Sequence, residues 1–294
     1  MGLRVLLTGG TGYLGSSLLR ALVGRGDSVV LLKRSFSNVA RIADLLPMVT
    51  SFDTDRVPLE AAFQQHPIDL VVNCATDYGR KSGEPLQILD ANLAFPLALL
   101  SLCKRHGVPR FVNTDTILDK RVSHYSLSKK QFLDWFKLAS AELACVNVAL
   151  EHFYGPGDDK TKFVSAMISL LLQGVPGIDL TPGEQKRDFI HISDVVAAFL
   201  LIIDHSRSLD RGFHGFEVGT GQPIPIRQIL GLVKEIAGNQ TTELRFGALP
   251  YRDNEVMESR VNLESLRRLG WEPRTDLGAG LTQTIQLERQ RLTT

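Results

Sequence analysis

The chain has 294 residues, 44% of them hydrophobic, a formal net charge of +1 and a mean hydropathy of +0.01. That length buries a full core in one large or two interlocked domains, and 33 basic against 32 acidic residues give no support for nucleic acid or a membrane surface as partner. Three cysteines, Cys74, Cys103 and Cys145, are odd in number and sit in apolar segments, so they read as buried thiols of a reducing compartment.

The first element is the most informative. An apolar run at 3–7 reads as a strand, Thr8-Gly9-Gly10-Thr11-Gly12-Tyr13-Leu14-Gly15 follows at once, and 17–23 reads as a helix. Strand, glycine turn and helix in that order form a phosphate-binding unit. Gly9, Gly12 and Gly15 let a pyrophosphate approach the backbone, and the helix presents N–H groups and a positive dipole end to it. The chain opens directly on this strand, so a cytoplasmic protein without a signal peptide is expected.

Apolar runs at 28–32, 48–52, 70–74, 110–113 and 144–150 then alternate with helix-like stretches at 59–65, 86–105 and 126–140. This alternation predicts an α/β fold, a doubly wound parallel Rossmann sheet over residues 1–152 that binds the cofactor. After Tyr154-Gly155-Pro156-Gly157, proline and glycine punctuate the chain more often. Residues 153–294 read mainly as a smaller C-terminal α/β substrate-binding domain, with segments near 190–218 returning to the sheet. The longest apolar run, 195–203, is too short to span a bilayer and reads as a core helix.

Ligands of such folds lie at the carboxyl ends of the strands. After the second strand come Lys33-Arg34-Ser35, with no Asp or Glu in reach to take the ribose hydroxyls of NAD. A guanidinium grips a 2′-phosphate bidentately, so Arg34, with Ser35 or Lys33, predicts NADP(H). Asp53, after the third strand, is placed to bond the adenine amine. A solvated basic loop and a simple turn aspartate are the plain alternatives.

The fifth strand ends in Asn113-Thr114-Asp115-Thr116, and the next helix opens with His124-Tyr125-Ser126-Leu127-Ser128-Lys129. Tyr125 and Lys129 are four apart and share a helix face. The ammonium is expected to lower the tyrosine pKa from about 10, making Tyr125 an acid or base near neutral pH. The Thr114 hydroxyl is placed to bond the same substrate oxygen. Lys130 only extends a basic patch. Asp77 and Tyr78 follow the fourth strand and either face the substrate or pack their loop. His66, His106, His205 and His214 are scattered and form no metal-ligand spacing with the cysteines, and no metal is expected.

With these residues in hand, the chain resembles the extended short-chain dehydrogenase/reductases that act on nucleotide sugars, the NAD-dependent epimerase/dehydratase family. The resemblance covers nearly the whole length. It rests on 8–15, Asn73-Cys74-Ala75-Thr76, Asn92, Thr114, Tyr125 with Lys129, Tyr154-Gly155-Pro156-Gly157-Asp158 and Arg187-Asp188-Phe189-Ile190-His191. Further stretches at 75–79, 150–158, 181–185, 246–248 and 252–255 are similar to a branch that reduces the 4-keto group of a CDP-linked deoxyhexose with NADPH. The resemblance implies Thr114, Tyr125 and Lys129 as the catalytic set. It implies that Thr11, Tyr13, Leu14, Cys74, Ala75 and Asn92 join the glycines around the cofactor, with Tyr125 and Lys129. It assigns Arg187 and Arg252 to the nucleotide diphosphate. Thr76, Asp77, Tyr78 and Thr114 are the candidates for the sugar, with His152, which either bonds a sugar oxygen or is a paired structural histidine. It also implies deoxysugar synthesis for a surface polysaccharide such as a lipopolysaccharide O-antigen, and a homodimer through 86–105 and 126–140. His152 stands where many members have Asn, and the segment from Thr114 to Tyr125 is shorter than usual.

Three chemistries share this scaffold. The 4,6-dehydratases resemble Thr-Asp-Glu at the end of the fifth strand, whereas this chain has Thr114-Asp115-Thr116. A hydroxyl is a poor base for a C–H proton, so elimination is disfavoured. Epimerases return the hydride and exchange no cofactor, whereas a 2′-phosphate site points to a consumed reductant. Net reduction of a nucleotide sugar is the expectation; a 4-epimerase and a non-catalytic NADP sensor are the alternatives.

Overall fold

The structure, a computed structural model, describes residues 2–80 and 83–293. They form two compact units, residues 2–150 with 196–217, and residues 151–195 with 218–293. The first unit runs β1 (Arg4–Thr8), α1 (Tyr13–Gly24), β2 (Ser28–Lys33), β3 (Thr50–Asp53), α2 (Glu60–Gln65), β4 (Leu70–Asn73), α3 (Pro85–Leu89), a π-helical turn (Asp90–Ala94), α4 (Phe95–Arg105), β5 (Arg110–Thr116), α5 (His124–Ala139) and β6 (Ala144–Leu150). Neighbouring strands among these six pair in parallel. With the later strand Gly212–Val218 beside β6, they make a seven-stranded sheet in the order β6, β5, β4, β1, β2, β3 away from that edge. Every residue of β4 and β6 is buried, which is why these strands read as unbroken apolar runs. The order reverses direction at β1, so the glycine turn after β1 and the segment after β4 open at one switch point of a doubly wound Rossmann sheet.

Several boundaries depart from the sequence reading for local reasons. β3 starts at Thr50 rather than 48, because Pro47 lies in a 3₁₀ turn (Leu46–Met48) and has no N–H for a ladder. β5 continues past 113, since Thr114, Asp115 and Thr116 pair with Val148, Ala149 and Leu150. The helix expected over 86–105 contains the π turn, in which Phe95 N–H bonds the Asp90 carbonyl beside Pro96, a residue without an N–H. α5 begins two residues early because Ser123 and Ser126 form a reciprocal capping box, which places Tyr125 in the first turn. Cys74 is half-buried, not buried; all three thiols are free.

Among the described residues, Pro85–Arg105 is the one helical stretch long and apolar enough to cross a membrane. Its Leu99, Leu100, Leu102 and Cys103 are buried in the sheet core with Phe111, Phe132 and Phe136.

The second unit holds β7 (His152–Tyr154), α6 (Phe163–Gln173), β8 (Gly177–Leu180), β9 (Lys186–Arg187), β10 (Phe189–His191) and the start of α7 (Ile192–Ser206). The chain then supplies β11 (Gly212–Val218), the edge strand already described, and returns through β12 (Ile224–Pro225), α8 (Ile226–Ile236), β13 (Glu243–Phe246), α9 (Glu264–Arg268) and α10 (Leu277–Thr293). Short two-stranded pairs, β10 with β7, β12 with β9 and β13 with β8, replace a large sheet. Tyr154, Ile168, Ile229 and Leu281 share its core.

Asp188, fully buried, anchors the loop after β11. Its carboxylate accepts from Thr220 N–H and Gly221 N–H at 2.9 and 2.6 Å and from the Thr220 hydroxyl at 2.6 Å. Burial raises its pKa, and these donors oppose the rise. Asp188→Ala leaves three donors without their acceptor and is expected to cost about 1–3 kcal/mol. Urea unfolding measures this; an unchanged midpoint would mean the loop needs no anchor.

Candidate functional site

The glycine turn is built as a close-packed cradle. Gly9 has φ +67°, and a Cβ there would lie 2.5 Å from the backbone of Cys74 and Ala75. Gly12 N–H bonds the Gly9 carbonyl at 2.9 Å and caps α1. A Cβ on Gly15 would lie 2.1 Å from the same carbonyl. Thr11 and Tyr13 are half-buried at the helix entry, Leu14 is buried, and the Arg41 guanidinium lies 5.5 Å over the Tyr13 ring. The sequence reading missed Arg41, whose loop carries no motif.

Beyond β2 the structure corrects the expectation that no acid is in reach. Lys33 pairs with Asp53. Ser35 donates through its N–H at 2.7 Å and its hydroxyl at 2.6 Å to the Asp55 carboxylate, which these bonds hold below the usual carboxylate range. Parallel pairing of β2 with β3 sets Lys33 directly opposite Asp53, an adjacency that no local motif announces. Arg34 remains exposed, its guanidinium 4.8 Å over Phe36 and its N–H on the Ser37 hydroxyl.

Thr76 and Asp77 are held by Asn92, which lies in the π turn and is almost completely buried. Its amide oxygen accepts from the Thr76 hydroxyl and Asp77 N–H, and its nitrogen donates to the Asp77 carbonyl and the Ser128 hydroxyl. Ala75 N–H bonds the Thr8 hydroxyl, and the Thr114 hydroxyl donates to Cys74 Sγ at 3.4 Å. The Tyr78 and Tyr125 rings lie 4.8 Å apart, and Arg80 sits 4.9 Å over Tyr78. Tyr78, Arg80, Thr114, Tyr125 and Lys129 are thus gathered at the carboxyl ends of β4 and β5.

The electrostatics of this cluster differ from the sequence reading. Tyr125 does not have its pKa lowered. Burial, with Tyr78 and Asp115 nearby, pushes it well above the ordinary value, against a hydrogen bond with Thr116. The Lys129 ammonium is spent on the Thr114 carbonyl, to which it donates at 2.7 Å. Burial lowers Lys129 to about 8. The Cys74 thiol is pushed up to about 11 by burial, against its bond with Thr114. Asp115, also buried, accepts from Lys130 at 3.0 Å, Asn147 at 3.0 Å and Thr116 N–H at 2.7 Å. Lys130, read from the sequence as mere surface charge, is its counter-ion.

The remaining sequence candidates lie in the second unit. His152 opens β7, with Nδ1 3.2 Å from the buried Glu151 carboxylate, which also accepts from the Ser259 hydroxyl. Arg187 in β9 is bound to Glu255 and to the Lys186 and Val256 carbonyls. Burial lowers its pKa, Glu255 opposes this, and the neighbouring Arg252 adds to it. The two arginines expected at a diphosphate therefore do lie near one another, but one is already paired. Among the described residues no group of His, Cys, Asp and Glu is arranged to hold a metal ion.

The sequence profile of the NAD dependent epimerase/dehydratase family matches residues 5–219. The chain is 30% identical over 294 residues to CDP-abequose synthase of Salmonella muenchen, covering 97% of this chain and 98% of that protein. Among solved structures, UDP-glucose 4-epimerase of Thermotoga maritima with UDP-glucose superposes with a TM-score of 0.85 at 24% identity, covering 99% of this chain and all of the other. UDP-glucose 4-epimerase of Thermus thermophilus in complex with NAD gives 0.82 at 24% identity, covering 98% and 99%. At that identity both structures speak to the fold alone.

Proposed function

The chain belongs to the NAD dependent epimerase/dehydratase family, as an enzyme of the short-chain dehydrogenase/reductase type, and from that premise we propose that it reduces the C4 keto group of a CDP-linked 4-keto-deoxyhexose with NADPH. The observation that carries this reading is geometric. Tyr125 stands in the first turn of α5 with its ring 4.8 Å from Tyr78, and Asp115, the residue an eliminating enzyme would use as its acid, is buried and bonded to Lys130 and Asn147.

The first unit takes the dinucleotide and carries the residues assigned to the reacting end of the sugar, and the second mainly takes the nucleotide part. Room for a pyrophosphate comes from Gly9, Gly12 and Gly15, where a Cβ would fill the cradle. Bound NADPH supplies a hydride. The Tyr125 hydroxyl donates its proton to the oxygen that becomes negative at C4, a task for which a neutral phenol suits. The Thr114 hydroxyl orients that oxygen. Lys129 holds the ribose side of the site and the β5 carbonyl. Thr76, Asp77, Tyr78 and His152 are assigned to the sugar, Arg187 and Arg252 to the diphosphate. The product enters deoxysugar synthesis for a surface polysaccharide. Trp135 and Leu138, exposed on α5, support pairing of two copies through that face.

The test is loss of reduced-nicotinamide absorbance on adding a CDP-linked 4-keto-deoxyhexose; no consumption and no new product overturns the reading. A second reading, a 4-epimerase using NAD, is favoured by Asp55 beside Ser35, and isomerisation without NADPH consumption would establish it. Arg34 is the residue assigned to the 2′-phosphate. Arg34→Ala is expected to weaken NADPH about tenfold or more and leave NADH nearly unchanged. Fluorescence titration of the two cofactors checks this; equal affinity of the wild type for both removes the assignment.

A further inference from the structure

Thr8, Asn73, Asn113 and Asn147 stand directly opposite one another on β1, β4, β5 and β6. All four are buried. The Thr8 hydroxyl donates to Asn73 Oδ1 at 2.7 Å, Asn73 Nδ2 to Asn113 Oδ1 at 3.1 Å, and Asn113 Nδ2 to Asn147 Oδ1 at 2.9 Å. Asn147 Nδ2 then donates to Asp115 Oδ2 at 3.0 Å, where Lys130 Nζ also donates. Every donor in the row points toward the carboxylate, so the amide dipoles align and each bond polarises the next.

A strand interior that served stability alone would carry valine or isoleucine there. Asparagine is disfavoured in strands, and a buried ion pair contributes little net stability against apolar residues of the same size. The row ends at the reacting groups. Lys130 Nζ donates to the Thr116 carbonyl at 2.5 Å, and Lys129 Nζ to the Thr114 carbonyl at 2.7 Å. Two successive lysines of α5 thus grip the carbonyls on either side of Asp115. At its far end the row meets the cofactor turn, where Ala75 N–H bonds Thr8.

We propose that Asp115 and Lys130, anchored by this asparagine row, are positioning residues that set both the place and the charge of Lys129. The proposal rests on the reading of Lys129 as a member of the reacting set. Among the described residues, Asp115 from β5, Cys74 from the segment after β4 and Lys130 on its own helix act on Lys129, and Tyr125, one turn before it, shares its helix face. Asp115 favours the ammonium, Lys130 disfavours it, and burial brings Lys129 to about 8. Removing one partner or the other therefore moves Lys129 in opposite directions.

The experiment is an NMR titration of the protein labelled in its lysine side chains, with the Lys129 signal identified by its loss in Lys129→Met. Asp115→Asn is expected to lower the Lys129 midpoint by about one pH unit, and Lys130→Met to raise it; Lys130→Arg restores the wild-type value. The upper limb of the turnover pH profile follows the same order, with KM for the sugar little changed. Lys130 is half-buried at the surface, so its variants keep the test available if Asp115→Asn does not fold. An unmoved midpoint in Lys130→Met, or shifts of one sign in both variants, overturns the proposal. The titration uses no sugar substrate, so a wild type that fails to reduce the keto sugar refutes the proposed function and leaves this result to be read separately.

Discussion

Tyr125→Phe is expected to lower turnover by about 100- to 10,000-fold while NADPH still binds. The phenyl ring keeps its contact with Tyr78, 4.8 Å away, and the capping box that begins α5 involves Ser123 and Ser126, so the helix start is untouched. Only the proton donor is lost. Lys129 does not replace it, because its ammonium is bound to the Thr114 carbonyl, and the Thr114 hydroxyl is a far weaker acid. Absorbance of reduced nicotinamide in the presence of the keto sugar measures turnover, and fluorescence titration measures binding. Undiminished turnover would remove Tyr125 from the reaction. The pH dependence has a defined sign. Tyr125 stays protonated through neutral pH because burial raises its pKa, so it does not set the upper limit of activity. Lys129, lowered to about 8, is charged below that pH and neutral above it, so activity is expected to fall as pH rises through that value.

Gly15→Ala is the second large effect expected. The added Cβ would lie 2.1 Å from the Gly9 carbonyl oxygen, 2.6 Å from its carbon and 2.9 Å from Gly10 Cα. All three are backbone, so no side chain can swing away and the turn itself must move. A cost of about 1–3 kcal/mol or more follows, with loss of dinucleotide binding because the cradle is displaced. Gly24→Ala is the control on the same helix. A Cβ there meets nothing within 4 Å, and that variant is expected to melt at or slightly above the wild-type temperature. Thermal melts with and without NADPH separate the two. Equal melting and equal protection by NADPH in both variants would mean that the close approach of Gly15 to Gly9 is not needed.

Features that depend on a single turn or strand were legible in the sequence. The glycine turn between β1 and α1 is recognisable because its strand, glycines and helix are contiguous. Tyr125 and Lys129 share a face because a helix repeats every 3.6 residues. Proton chemistry was less legible. The spacing of Tyr125 and Lys129 brings an ammonium near a phenol, but the ammonium turns to a carbonyl of β5, which no spacing within α5 reveals. Nor does any local spacing reveal that Asp115 at the end of β5 is bonded by Lys130 and Asn147.

By itself the sequence determined the alternation of buried strands with helices, the phosphate turn and the shared helix face of Tyr125 and Lys129, since each follows from local periodicity and steric need. Only the tertiary structure decided which polar groups meet. Ser35 meets Asp55 across 20 positions, Asn113 meets Asn147 across 34 and Arg187 meets Glu255 across 68. Parallel strands are joined by crossovers whose length carries no register. Pairing is settled when the sheet assembles, and with it the partner, the charge and the proton of every buried group that faces along a strand row.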